Sequence, residues 1–376
     1  MRRVQKISVK QIQWNKGNKE KQGRFSFCLL FLWRGKEKVS RHRRNPILII
    51  EEEFSIKKTI GQNIMKKFAM VFPGQGSQTV GMLADLATEY PIVTETFKQA
   101  SDALGYDLWH LVQQGPAEEL NKTWQTQPAL LAASVAIYRV WQEKFPQLKP
   151  EVMAGHSLGE YSALVCAGVL DFQDAIKLVE LRGKLMQQAV PEGTGAMYAI
   201  IGLDNEAIIN ACKQAEEGEV VSAVNFNSPG QVVIAGAKAA VERAAALCKE
   251  AGAKRALPLA VSVPSHCALM KPAAEQLAVT LENIQINTPT ISVLNNVDVK
   301  AETEGAEIRT ALVRQLYSPV RWTETVEKMA QDGVQALVEV GPGKVLNGLT
   351  KRIVGDLQAI SVNDVASFNA VEEFLA

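Results

Sequence analysis

A short apolar run at Val152–Ala154 meets an Ala-rich helical stretch at Leu158–Val169 across Gly155-His156-Ser157-Leu158-Gly159. This G-x-S-x-G spacing at a strand-to-helix junction constrains the fold more than any other segment of the 376 residues. Two glycines let the chain take a tight, strained turn that pushes the Ser157 hydroxyl out of a sheet. The helix that follows aims its N-terminal amides at the same point, where developing negative charge is stabilised. The pattern also recurs by chance as a plain βα turn. The strand before it and the helix after it favour a nucleophile.

From Met65 onward, short β runs alternate with long helical ones, the mark of an α/β protein. Phe68–Phe72 reads as a strand ending at Pro73-Gly74. Pro128–Phe145 reads as a helix, with Leu131, Val135, Tyr138 and Trp141 at three- and four-residue steps. Asp171–Gln188 is a further helix, and the strand Ala336–Val340 leads through Gly341-Pro342-Gly343 into a helix at Val345–Ile353. Between these the grammar changes. Strand Gly195–Gly202, helix Asp204–Glu216, strands Val220–Phe226 and Gln231–Ala235, helix Lys238–Ala251 and strand Lys254–Val261 follow one another. That β-α-β-β-α-β order is ferredoxin-like. The expected architecture is a large α/β-hydrolase-like domain with a parallel sheet, residues 65–190 and 263–376, interrupted by a small ferredoxin-like α+β domain, residues 191–262. A cleft between the two is the default place for a ligand.

Charge separates the first 64 residues from the rest. They carry 16 Lys/Arg against 5 Asp/Glu, whereas the other 312 carry 25 against 35. An acidic body argues against a nucleic-acid partner. No segment reaches the roughly 18–20 apolar residues of a membrane helix. Phe25–Trp33 follows a basic stretch as a signal-peptide core does, but Arg34-Gly-Lys-Glu-Lys stands where small cleavage-site residues belong. Residues 1–64 are therefore read as a basic, weakly ordered extension outside the fold, with Met65 as the natural start. Cysteines at 28, 166, 212, 248 and 267 form no C-x-x-C pair, which points to a reducing, cytoplasmic compartment and away from a zinc or disulfide scaffold.

A nucleophilic serine needs a base, and the body offers His110, His156 and His266. His156 adjoins Ser157, and consecutive side chains at such a turn point apart. His110, in Asp107-Leu-Trp-His-Leu-Val, reads as a packed helix edge. His266, in Val263-Pro-Ser-His-Cys267, falls in a loop where the small domain returns the chain to the large one, and is the preferred base. Cys267 has no second His or Cys at ligand spacing, so no metal is expected. Arg182 stands on an apolar helix stripe with Leu178, Val179, Leu185 and Met186, where an unpaired guanidinium is expensive. An internal Asp or Glu partner and a bidentate substrate carboxylate account for it equally well. The loop Gly74-Gln75-Gly76-Ser77-Gln78 lacks the Gly-Lys-Ser/Thr ending of a phosphate loop. As a tight turn beside Ser157 it can complete an oxyanion hole.

Taken together, Phe72-Pro-Gly-Gln-Gly-Ser-Gln78, Thr126-Gln-Pro-Ala129, Gly155-His-Ser-Leu-Gly-Glu160, Val263-Pro-Ser-His266, Arg182, Tyr317-Ser-Pro-Val-Arg-Trp322 and Glu339-Val-Gly-Pro-Gly343 resemble the malonyl-CoA:acyl carrier protein transacylases. The likeness covers residues 66–376 and is closest to the stand-alone bacterial type of dissociated fatty-acid synthesis. It implies Ser157 as the acylated nucleophile, His266 as its base, and the amides of Gln75 and Leu158 as the oxyanion hole. It implies Arg182 on the malonyl carboxylate, Gln315 behind His266 with a main-chain carbonyl in place of a triad acid, and Asn225 lining the site. The implied reaction is ping-pong transfer from malonyl-CoA to the phosphopantetheine thiol of acyl carrier protein, with no cofactor of the enzyme's own. A monomer is expected.

Three rival readings remain. A serine thioesterase or hydrolase shares the elbow but lacks Arg182 and the inserted unit. A silent carrier-binding subunit has no use for an intact Ser157, His266 and Arg182. A stand-alone acyltransferase of polyketide synthesis carries the same residues.

Overall fold

The computed structural model describes residues 65–260 and 263–376. The expectations for residues 1–64, and the end of the strand expected to reach Val261, lie outside the described residues. The strands are β1 (Phe68–Phe72), β2 (Val152–Gly155), β3 (Gly195–Ile201), β4 (Val221–Ser228), β5 (Gln231–Ala237), β6 (Arg255–Pro258), β7 (Val293–Leu294), β8 (Ala336–Val340) and β9 (Gln358–Val362).

Five of them form a parallel sheet in the order β7-β2-β1-β8-β9. All five residues of β1 and of β8 are buried, as expected of central parallel strands covered on both faces. The one charge in them, Glu339, accepts hydrogen bonds from the Leu346 and Asn347 amides and the Ser361 hydroxyl, so it fixes the helix that follows β8. The helix Thr123–Lys144 lies buried along most of its length. It begins five residues before the expected start, with Pro128 inside it. A proline in the second turn forfeits one helical amide, and the tight packing of the segment offsets this. The neighbouring helix Phe172–Ala189 comes so close that a Cβ on Gly183 would stand 2.5 Å from the Trp124 Cα.

The inserted segment follows the expected β-α-β-β-α-β order and forms an antiparallel sheet, β4-β5-β3-β6. Helices Asn205–Ala215 and Lys238–Glu250 cover one face around Ile200, Ile208, Val232, Ile234 and Val241. The other face sets Met197, Val224 and Val233 against Cys267. A bulge between Ala223 and Asn225 lets β4 reach Val320, which donates to the Val224 carbonyl at 2.8 Å and accepts from the Phe226 amide at 3.0 Å. These bonds tie the inserted sheet to the rest of the body. No described helix is long and apolar enough to cross a membrane.

Candidate active site

Ser157 occupies φ 53° and ψ −108° between β2 and the helix Leu158–Cys166. The flanking glycines serve close approach, not positive φ. A Cβ on Gly155 would lie 1.8 Å from the Gly159 carbonyl carbon, and one on Gly159 would lie 2.0 Å from the Phe72 oxygen. The strain therefore falls on the serine alone. Gly74 packs in the same manner, 2.5 Å from the His156 oxygen once a Cβ is added, and this seats the Gln75 loop beside the elbow.

His266 Nε2 lies 2.7 Å from Ser157 Oγ, and its Nδ1 lies 2.7 Å from the Gln315 main-chain oxygen. A carbonyl can only accept, so Nδ1 carries the proton and Nε2 is free to accept from the serine hydroxyl. His266 itself has φ 65° and donates its amide to the Leu316 oxygen at 3.0 Å. Burial, aided by the nearby Arg182 cation, pushes the imidazole down to about 3, so it is neutral at ordinary pH.

The Arg182 guanidinium is buried. Nη1 donates to Gln127 Oε1 at 2.8 Å, and Nη2 donates to Gln315 Oε1 at 3.1 Å and Ser157 Oγ at 3.4 Å. The Tyr161 ring lies 5.3 Å away, and Nε is buried without a hydrogen-bond partner. Among the described residues no Asp or Glu bonds it directly. Glu160 acts on it through its charge and is bridged to it by Gln315, without a direct bond.

Ser157, His266 and Arg182 line one pocket of about 110 Å³ with Gln75, Gln127, Leu158, Met186, Met197 and Asn225. Leu158 heads its helix, so its amide has no helical acceptor. Asn225 Oδ1 is buried and unpartnered. His156 turns to Asn227 Oδ1 at 2.8 Å and packs on Trp322, away from the base's role. His110, expected at a packed helix edge, is exposed, because Asp107 caps that helix through the His110 backbone amide and leaves the ring in solvent. Cys267 is buried, its thiol pushed up to about 11, which leaves little thiolate. Among the described residues no group of three or more His, Cys, Asp or Glu is arranged to hold a metal.

Three residues of the site escaped the bare sequence. Gln127, within the Thr126-Gln-Pro-Ala129 motif, holds Arg182. Asn296 Oδ1 accepts the Ser157 amide at 2.7 Å. Glu160 is buried with its carboxyl pushed up to about 7, chiefly by burial. Only Glu160 carried a local signal, an acid on an apolar helix directly after the elbow. Asn296 lies 139 positions from Ser157, and no spacing rule connects them.

The acyl transferase domain family matches residues 69–368. A malonyl CoA-acyl carrier protein transacylase of Haemophilus influenzae is 98% identical over 311 residues, which span 83% of this chain and all of that protein. A crystal structure of an acyl carrier protein S-malonyltransferase from Vibrio cholerae is 72% identical, with TM-score 0.80 over 81% of this chain and 99% of its own. A type II PKS acyl-carrier protein in complex with its malonyl-transacylase matches at 72% identity and TM-score 0.81, over 82% of this chain and 99% of that one. The chain belongs to the acyl transferase family, among its malonyl CoA-acyl carrier protein transacylases.

Proposed function

We propose that this enzyme moves the malonyl group of malonyl-CoA to the phosphopantetheine thiol of an acyl carrier protein through an ester on Ser157. The observation that carries the assignment is a hydrogen-bonded Ser157–His266 pair beside a buried guanidinium that bonds no carboxylate among the described residues. His266 Nε2 takes the serine proton as Oγ attacks the thioester carbonyl. The tetrahedral oxygen is held by the Gln75 and Leu158 amides, and Arg182 receives the malonyl carboxylate. The C–S bond breaks and His266 returns its proton to the CoA sulfur. The carrier thiol then repeats the sequence in reverse on the ester. Gln315 keeps the imidazole in its working tautomer, and Asn225 lines the acyl end of the pocket.

The carrier partner is supported by the complex of the 72% identical relative. The malonyl-carrier product supplies fatty-acid synthesis in this reading. Action in the cytoplasm is part of the same proposal, supported by four buried free cysteines among the described residues, and so is action as a monomer. Intact-mass spectrometry tests the assignment. Mixing with malonyl-CoA should add one malonyl group, and Ser157→Ala should add none and lose on the order of 10⁴-fold or more in turnover. An adduct mapped to Cys166 or Cys267 overturns it. Assaying the loaded enzyme with fatty-acid-type and polyketide-type carriers tests the pathway.

A further inference from the structure

We infer that Glu160 and Asn296 are positioning residues that hold the nucleophile's backbone as one clamp, an inference that rests on Ser157 being the nucleophile. At φ 53° and ψ −108° Ser157 has a conformation that an L-residue keeps only when its surroundings impose it. Here side chains impose it. The Ser157 N–H, at the start of a helix and without a helical acceptor, donates to Asn296 Oδ1 at 2.7 Å. The Ser157 carbonyl accepts Gln315 Nε2 at 3.0 Å, in addition to the helical amide of Glu160 at 3.1 Å.

Both grips end on one atom. Glu160 Oε2 accepts Gln315 Nε2 at 2.8 Å and the Asn296 backbone amide at 2.9 Å. Asn296 Nδ2 also donates to the Gly155 oxygen at 2.6 Å, which pins the end of β2. Glu160, Asn296 and Gln315 are 2%, 1% and 0% exposed, so water does not compete for these bonds. The result is a closed ring: Ser157 amide to Asn296, Asn296 amide to Glu160, Glu160 to Gln315, Gln315 back to the Ser157 carbonyl. Neither Glu160 nor Asn296 lines the pocket that holds the hydroxyl, so both act through Ser157.

Loosening the ring lets the hydroxyl drift from His266 Nε2, and misplacement of a reacting atom by about 1 Å is enough for a roughly 100-fold loss. The loss should fall on kcat. For Asn296→Ala it should fall equally on every acyl donor, because Arg182 makes no bond to Asn296. For Glu160→Ala it should be larger on malonyl, because Glu160 holds Gln315, whose Oε1 accepts from Arg182.

The experiment measures kcat and KM with malonyl-CoA and acetyl-CoA for Glu160→Ala, Asn296→Ala, the double variant and Glu160→Gln, with melting temperature as the folding control. Each alanine variant should lose about 10- to 100-fold in kcat on both donors, equally for Asn296→Ala, with the KM for acetyl-CoA within about threefold. The double variant should be no more than about threefold below the worse single, because both act through one ring. Glu160→Gln keeps an oxygen facing both donors and should stay within about fivefold of the parent. If an alanine variant fails to fold, Glu160→Asp, one methylene short of both amides, takes its place in the comparison. A folded variant with parental kcat, losses that multiply in the double variant, or a Glu160→Gln enzyme as slow as Glu160→Ala overturns the clamp. An active Ser157→Ala enzyme removes the underlying reading instead, so the two failures are distinct.

Discussion

The Arg182 guanidinium stands 3.4 Å from the Ser157 hydroxyl, and its other bonded partners are the neutral amide oxygens of Gln127 and Gln315. A buried cation whose hydrogen-bond partners are all neutral is electrostatically incomplete, and in the proposed reading a substrate carboxylate completes it. The same cation disfavours a proton on His266. In that reading one side chain bears on both the acyl group accepted and the protonation of His266.

Replacing Arg182 by Ala should therefore change donor choice more than chemistry. Losing a charge-assisted contact of this kind costs about 1.5–3 kcal/mol, roughly ten- to a hundred-fold in malonyl transfer. Acetyl-CoA has no carboxylate and leaves the parent's cation unpaired, so its transfer should rise relative to malonyl. The check is kcat/KM for both thioesters on parent and variant. An equal fall in both marks Arg182 as a structural group.

The elbow tolerates no added carbon. Gly159→Ala directs a methyl to within 2.0 Å of the Phe72 oxygen, a backbone atom of a central strand with no freedom to retreat. The expected loss is about 3 kcal/mol or more, the upper end of overpacking costs. It should appear as a lower denaturant midpoint together with loss of Ser157 malonylation. A variant of parental stability shows that the strand and helix can separate.

Much of this was legible in the chain. The G-x-S-x-G segment sits between a strand and a helix as its flanking residues indicate, and the β-α-β-β-α-β order of the insert follows from period and turn residues. The strands β7 and β9 escaped. β7 is two residues long, and β9 is a half-exposed edge strand without alternation. The apolar stripe from Leu131 to Trp141 places the helix before β2 from Pro128, whereas the helix runs from Thr123, with Thr123, Thr126 and Gln127 buried as well. Arg182 was visible as an oddity on an apolar stripe, but the sequence left two partners open. Among the described residues geometry removes the direct carboxylate. Asn296 was invisible, because a side chain bonding a backbone amide 139 positions away leaves no pattern.

Deleting residues 1–64 should leave malonyl transfer and the melting transition unchanged. The aligned 311 residues make up the whole of the Haemophilus influenzae relative, and every residue assigned to the site falls between Gln75 and Gln315. The opposite net charges of the first 64 residues and the rest of the chain attract one another, but such attraction is largely screened beyond about 8 Å at physiological salt. Steady-state assays and thermal scans of the truncated chain decide this. Loss of either property assigns those residues a structural part.

The pH dependence tests the pairing of Arg182 with His266. The imidazole is lowered from its ordinary value to about 3, first by burial and then by the Arg182 cation. A depressed histidine stays neutral as pH falls, so the acid limb of kcat/KM should lie well below pH 6.5, with little loss between pH 7 and 5. Stability runs the same way. The unfolded chain binds a proton at about 6.5 and the folded one resists it, so this group's contribution is present above 6.5 and is lost as pH falls toward 3. Removing the cation in Arg182→Ala should move the acid limb upward, because one of the two depressing causes is gone. Malonate bound in the parent should do the same by neutralising the guanidinium. The measurement is the kcat/KM profile from about pH 3 to 8 with acetyl-CoA, whose acyl group carries no titrating carboxylate. An acid limb at the same pH in parent and variant would show that burial alone sets the base, with no part for Arg182.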